Sequence, residues 1–137
     1  MGQDLLVKLI ENDDDLLDIV PLKQADDNEC TGSSISEDSA LEKIMRIKED
    51  GSDFWIARYG QIPVGYAIGI VRKESYRSEG IYVTPGYRRR EIGLALKQAQ
   101  IEFTRNLGCN EIFSNVADVN EASKEKLHKF PAFILEE

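Results

Sequence analysis

The chain is poor in the residues that build metal centres and cross-links: its 137 residues include one histidine and two cysteines. With His128 alone, no second imidazole is at hand for a His-based metal site, and no metal is expected. Cys30 and Cys109 make neither a disulfide framework nor a zinc pattern, so both read as free thiols. No apolar run approaches the roughly 20 residues that span a bilayer. The start Met1-Gly2-Gln3-Asp4-Leu5-Leu6 lacks the basic region and small-residue cleavage site of a secretory leader. A cytoplasmic protein without membrane contact is the expectation. There is no internal repeat and no low-complexity tract.

What is present is a 42% hydrophobic chain, long enough to bury one core, and a single domain over residues 1–137 is expected. The net charge is -8, and acids such as Asp13, Asp14, Asp15, Asp26, Asp27 and Glu29 crowd the first third. Such a balance disfavours nucleic acid and suits a cationic partner, or else serves only solubility.

The densest signal runs from Ile81 to Leu96. A β-branched and aromatic run stops at Pro85-Gly86, Arg88, Arg89 and Arg90 follow, and Gly93 opens an apolar pattern of helical period. Arginines at a helix N-terminus sit where the dipole and unpaired N–H groups favour acids. An anion such as a pyrophosphate would resolve that conflict, and a solvated basic turn is the equal alternative.

The remaining elements follow in order. Leu5 to Ile10 reads as a strand, and Asn12 or Asp13 caps a helix that runs to Pro21 with Leu16, Ile19 and Val20 on one face. The polar stretch Gln24 to Ser34 reads as a loop. Ser36 starts a second helix with Leu41, Ile44, Met45 and Lys48 at helical spacing, ended by Asp50-Gly51. Phe54–Tyr59 and Val64–Val71 form a hairpin, with Gly65 and Gly69 marking a ligand's approach, a bulge or a tight packing contact.

Arg72 to Arg77 reads as a charged connection and Ser78 to Val83 as a strand. On that strand Glu79, Ile81 and Val83 share a face by alternation, and burial there would raise the Glu79 carboxyl toward the range of a base. The next helix carries Ile92, Leu96, Ala99, Phe103 and Leu107 at core spacing and ends at Gly108. Glu111 to Val116 is a strand, and Asp118 or Asn120 caps a last helix with Ser123, Leu127 and Phe130 inward, stopped by Pro131. Phe133-Ile134-Leu135 adds a short final strand. The order is β-α-α-β-β-β-α-β-α, a mixed α/β domain.

Val83-x-Pro85-x-x-Arg88-x-x-Glu91-Ile92-Gly93 resembles the acyl-CoA-binding segment of the GNAT superfamily of N-acetyltransferases, where a strand ending V-x-P meets a helix opening R/Q-x-x-G-x-G/A. Glu91 stands at the motif's first glycine. Glu79-Gly80-Ile81-Tyr82-Val83-x-Pro85, Gly108-Cys109-x-Glu111, Asn120-x-x-Ser123 and His128 are similar to the pattern of aminoglycoside 6'-N-acetyltransferases in that superfamily.

The resemblance implies a GNAT-like, mostly antiparallel sheet flanked by helices, with a shortened C-terminal end and an edge that invites a homodimer. It implies acetyl transfer from acetyl-CoA to a primary amine of a small cationic molecule such as an aminoglycoside or polyamine. Protein or peptide acetylation and a non-catalytic acyl-CoA-binding remnant are the alternatives.

Carried onto this chain, the strand residues Ile81, Tyr82 and Val83 pair with the pantetheine arm. Arg88, Arg89, Arg90, Glu91, Ile92, Gly93 and Leu94 hold the pyrophosphate through their amides, and Asn120 contacts the cofactor. Glu79 deprotonates the ammonium, and His128 stands near the position of the proton donor to the departing thiolate. Glu79, Asn115 and Asp118 are the candidate substrate contacts, Asn115 replacing an Asp of the aminoglycoside enzymes.

Overall fold

The computed structural model describes residues 4–88, 91–109, 111–115 and 133–136. Among these, six strands form one sheet in sequential order: β1 (Leu5–Leu9), β2 (Asp53–Tyr59), β3 (Ile62–Arg72), β4 (Ser75–Val83), β5 (Glu111–Asn115) and β6 (Phe133–Glu136). β1 to β4 pair antiparallel, while β4 to β5 and β5 to β6 pair parallel, so the expected mixed, mostly antiparallel sheet is present. The helix expected between Asp118 and Phe130 lies outside the described residues.

Both faces of the sheet are covered, and β3 shows it: Val64 to Ile70 is buried without interruption. Helices α1 (Asp13–Leu17), α2 (Ile19–Thr31) and α3 (Glu37–Glu49) bury Leu16, Ile19 and Ile44 against Phe54, Ile56 and Tyr66. Each such aliphatic side chain contributes about 1.5–3 kcal/mol by leaving water. On the opposite face α4 (Ile92–Asn106) packs Ile92 and Leu96 on Trp55 and Ala67, and Leu94 and Ile101 on Tyr76 and Ile112.

Asn12 and Ser36 cap α1 and α3 as their sequence positions imply, accepting from the amides of Asp15 at 2.9 Å and Ser39 at 3.1 Å. Met45 and Leu107, expected on inner faces, are instead exposed, since α3 turns Ala40 and Ile44 inward and Leu107 lies just past the end of α4.

The expected loop from Gln24 to Ser34 is a correction. Residues 24–31 continue α2, and Pro21 is tolerated because it occupies the first turn, where an N–H has no intrahelical acceptor. The polar segment lacks an apolar stripe, so periodicity does not reveal it. Polar contacts hold it instead: Asp27 accepts from Lys23 and Lys43 at 3.0 and 3.1 Å, and Asn28 accepts from the Ile35 amide at 2.9 Å. The Tyr66 hydroxyl donates to Asp26.

Arg72 to Arg77 is no loop either. Lys73 and Glu74 form a two-residue turn, with Lys73 at φ 56°, and the strand resumes at Ser75. Gly65 and Gly69 are packing glycines: a Cβ on Gly65 would meet the Tyr82 carbonyl oxygen at 2.8 Å, and one on Gly69 would strike the Tyr76 ring.

Candidate functional site

Two features of β4 define the site. Its parallel ladder with β5 runs from Ser75 opposite Glu111 to Ser78 opposite Ser114, with no register pair beyond among the described residues. At the same point β4 bulges: Gly69 faces Ser78 and Ile68 faces Gly80, so Glu79 is the extra residue. The described ladder therefore ends in a fork, with Glu79 and Asn115 the first residues past it on either side.

Above the fork, among the described residues, β4 is paired with β3 alone. The Thr84 amide donates to the Val64 carbonyl at 2.9 Å, which fixes the alternation. Gly80 and Tyr82 then exchange hydrogen bonds with β3, while the main-chain groups of Ile81 and Val83 face the fork.

The bulge corrects the reading of Glu79. Tyr76 and Ser78 pack toward α4 below it, and Ile81 and Val83 do so above it, so the inserted residue switches the alternation. Glu79 is exposed and does not share an apolar face with Ile81 and Val83.

Beneath the fork lies a buried polar chain that the sequence did not single out. Lys97 Nζ donates to Ser78 Oγ at 2.5 Å, Ser78 Oγ donates to Gln100 Oε1 at 2.9 Å, and Gln100 Nε2 donates to the Ile68 carbonyl at 3.4 Å. Lys97, Gln100 and Ser78 are all buried. They tie both strands of the bulge to α4 and fix the place where the sheet opens. A lysine at an apolar-period position is the signal that could have revealed them.

The loop after β4 is a tight turn. Thr84 O accepts from Tyr87 N at 3.0 Å across Pro85 and Gly86, with Gly86 at φ 96°, and the Tyr87 ring stacks on Tyr59 at 5.7 Å. Arg89 and Arg90 lie outside the described residues. Glu91 caps α4 in the left-handed region, φ 60° and ψ 20°, and its side chain makes no capping bond to the helix. This is the conformation for which glycine has no steric cost, and it explains why the motif has glycine there. Ile92, Gly93 and Leu94 form the first turn of α4, whose amides have no acceptor within the helix.

Arg88 does not point its guanidinium at that turn. Its Nε donates to the Val83 carbonyl at 2.8 Å, and one terminal nitrogen donates to both carboxylate oxygens of Glu29 at 2.9 Å. The Tyr82 hydroxyl and then the Arg88 guanidinium hold the Glu29 carboxyl below its usual value. Burial first, then Glu29, pushes the Tyr82 hydroxyl up to about 12. The sequence marks Glu29 only as one of many acids, because its segment carries no helical stripe.

Cys30 and Cys109 are free thiols, as expected. Asp26 above all pushes the Cys30 thiol up, which disfavours a nucleophilic thiolate. Asn115 ends β5, and Asp118, Asn120 and His128 lie outside the described residues. Among the described residues no helix is long and apolar enough to cross a membrane.

Among the described residues, the end of the parallel ladder, the β4 edge beyond it and the first turn of α4, which Glu91 does not cap through its side chain, lie together as main-chain groups that could receive an extended, anion-tailed arm. Their donors suit the amide-bearing, pyrophosphate-carrying arm of an acyl-CoA.

A family model described as the acetyltransferase (GNAT) family matches residues 20–130, and the chain belongs to that family of N-acetyltransferases. Its class of reaction is acetyl transfer from acetyl-CoA. Solved structures share the fold at low identity. An aminoglycoside N-acetyltransferase, AAC(6')-Iy, in complex with CoA has a TM-score of 0.67 at 21% identity, covering 100% of this chain and 91% of that one. The ribosomal-protein-S18-alanine N-acetyltransferase from Escherichia coli has a TM-score of 0.64 at 16% identity over 92% of this chain and 75% of that one. Glucosamine-6-phosphate N-acetyltransferase from Arabidopsis thaliana has a TM-score of 0.64 at 12% identity, covering 93% and 90%. Among curated protein sequences none matches the chain.

Proposed function

We propose that this protein transfers the acetyl group of acetyl-CoA to a primary amine of a small, cationic acceptor, an aminoglycoside or a polyamine being the model. The observation that carries the reading is the fork at Ser78 and Ser114 beside the uncapped first turn of α4. Acetyl-CoA supplies an activated thioester. The main-chain groups of Ile81 and Val83 hold its arm, and the amides of Ile92, Gly93 and Leu94 receive its pyrophosphate.

Glu79 stands at the fork where the thioester would lie. Its carboxylate takes a proton from the acceptor's ammonium, directly or through water, and the freed amine attacks the thioester carbonyl. The C–N bond forms, the nitrogen gives up its second proton to solvent, the C–S bond breaks, and the thiolate leaves and takes up a proton, with His128 the residue that the family resemblance offers as its donor. The acids of the amino-terminal third give an acceptor of positive charge a favourable field. A thiol-release assay with acetyl-CoA over polyamines, aminoglycosides and a free-amine peptide tests the reading. Release with the small polycations supports it, and release with the peptide alone moves the acceptor to the protein class. Cofactor binding without release from any amine leaves a non-catalytic acyl-CoA-binding protein.

A further inference from the structure

Arg88 holds two places at once. Through Nε it occupies the carbonyl of Val83, the outermost residue of the β4 edge that faces the fork. Through a terminal nitrogen it holds Glu29, and its guanidinium lies over the Tyr82 ring, 5.5 Å from the centroid. The first place belongs to the cofactor's arm. The second is a cage for a cation, a carboxylate set beside an aromatic face.

Tyr82 makes this more than an acidic patch. It is only 5% exposed, and its hydroxyl lies beside the Glu29 carboxyl without the geometry of a full hydrogen bond, a buried polar atom whose bonding a nitrogen-bearing ligand would complete. The Tyr66 ring lies 6.0 Å away, and the Tyr66 hydroxyl is bonded to Asp26, one turn of α2 before Glu29. Helix α2 thus presents two carboxylates over two tyrosines on the face of the sheet opposite α4.

We propose that Glu29 and Tyr82 form a subsite for a second cationic group of the acceptor, and that Arg88 fills this subsite until the cofactor's arm takes the Val83 carbonyl. The inference rests on the acetyl-transfer reading above. An amide of the arm donating to Val83 competes with Arg88 Nε, and the cofactor's phosphates offer the freed guanidinium a stronger partner than Glu29. The Arg88 and Glu29 side chains are both about half exposed, so their pair is readily exchanged. Tyr82 lies three residues along the strand from Glu79, roughly 10 Å, and this sets the spacing between the reacting amine and the second charge. Cofactor and polyamine then favour each other's binding, because both require Arg88 to leave.

The test uses the whole chain with octamethylenediamine and its monoamine counterpart, octylamine. Calorimetry with CoA, which permits no turnover, should show the diamine binding roughly tenfold more tightly than in its absence. In the thiol-release assay kcat/KM should favour the diamine over octylamine, and Glu29→Gln should shrink that ratio about tenfold, mainly through KM. Tyr82→Phe removes only the hydroxyl, should lower the ratio in the same direction, and decides the matter if the Glu29 variant does not fold. An equal preference for the two amines in the unaltered protein, or a ratio unmoved by either folded variant, overturns the subsite while leaving acetyl transfer in place. Failure of acetyl-CoA to bind removes both readings together.

Discussion

Among the described residues, Ser78 and Ser114 are the last at which β4 and β5 stand in register. One position further, Glu79 is extruded as a bulge, and Ile81 and Val83 turn their main-chain groups toward the opening. Ser78 is also the middle member of the buried chain from Lys97 to Gln100, so α4 clamps the closed part of the sheet where the open part begins. The site is thus built mainly from backbone, and the side chains that matter are those that hold the backbone open or stand at its mouth.

Glu79→Gln keeps the bulge and removes the proposed proton acceptor. Turnover should fall by about 10²–10⁴ with little change in acetyl-CoA affinity. Steady-state rates across the pH range check it; an unchanged profile excludes Glu79 as the base.

Glu91→Gly places at the head of α4 the residue that tolerates φ 60° without a steric clash. The fold should gain about 1 kcal/mol, and loss of a carboxylate beside the proposed phosphate site should tighten acetyl-CoA binding. Thermal denaturation and calorimetry measure the two effects. A weaker complex would show that Glu91 organises the turn instead.

These two residues show how much of the site was legible. The strand ending at Val83, the Pro85-Gly86 turn and the helix opening at Ile92 follow from local chemistry: β-branched run, turn pair, apolar period. The bulge at Glu79 does not, because alternation assumes an unbroken register and an inserted residue leaves no mark in composition. The course of α2 beyond Gln24 was hidden for a related reason. Its stability comes from Asp26, Asp27 and Asn28 bonding to distant residues, and long-range polar contacts have no period. Glu29 and the cation cage were lost with it.

Gly69→Ala tests the packing reading of that glycine. The new methyl would sit 2.2 Å from the Tyr76 hydroxyl, and the Tyr76 ring cannot retreat, being buried and bonded through that hydroxyl to Trp55 Nε1 at 3.1 Å. A loss of about 1–3 kcal/mol in denaturant unfolding is expected. Wild-type stability would mean the strands separate easily here.

Asp27 gives a pH dependence with a definite sign. Burial acts to raise its carboxyl, but the bonds from Lys23 and Lys43 outweigh it and hold the group below 3.8. A carboxyl depressed in the folded state adds stability above its unfolded value, and that contribution is lost as the pH falls through the folded one. The clamp between α2 and α3 should therefore weaken on acidification below about pH 4. Asp27→Asn should lower the melting temperature near neutrality and converge with the parent protein in acid. Parallel melting curves at every pH would contradict this.

Amide hydrogen exchange with and without acetyl-CoA tests the central claim most directly, since the claim concerns which main-chain groups the cofactor covers. Protection should rise at Ile81 and Val83 on the open edge of β4 and at Ile92, Gly93 and Leu94 in the first turn of α4, with Gly80 and Tyr82, already bonded to β3, changing less. Binding of acetyl-CoA that leaves those five amides exchanging as before would contradict the account.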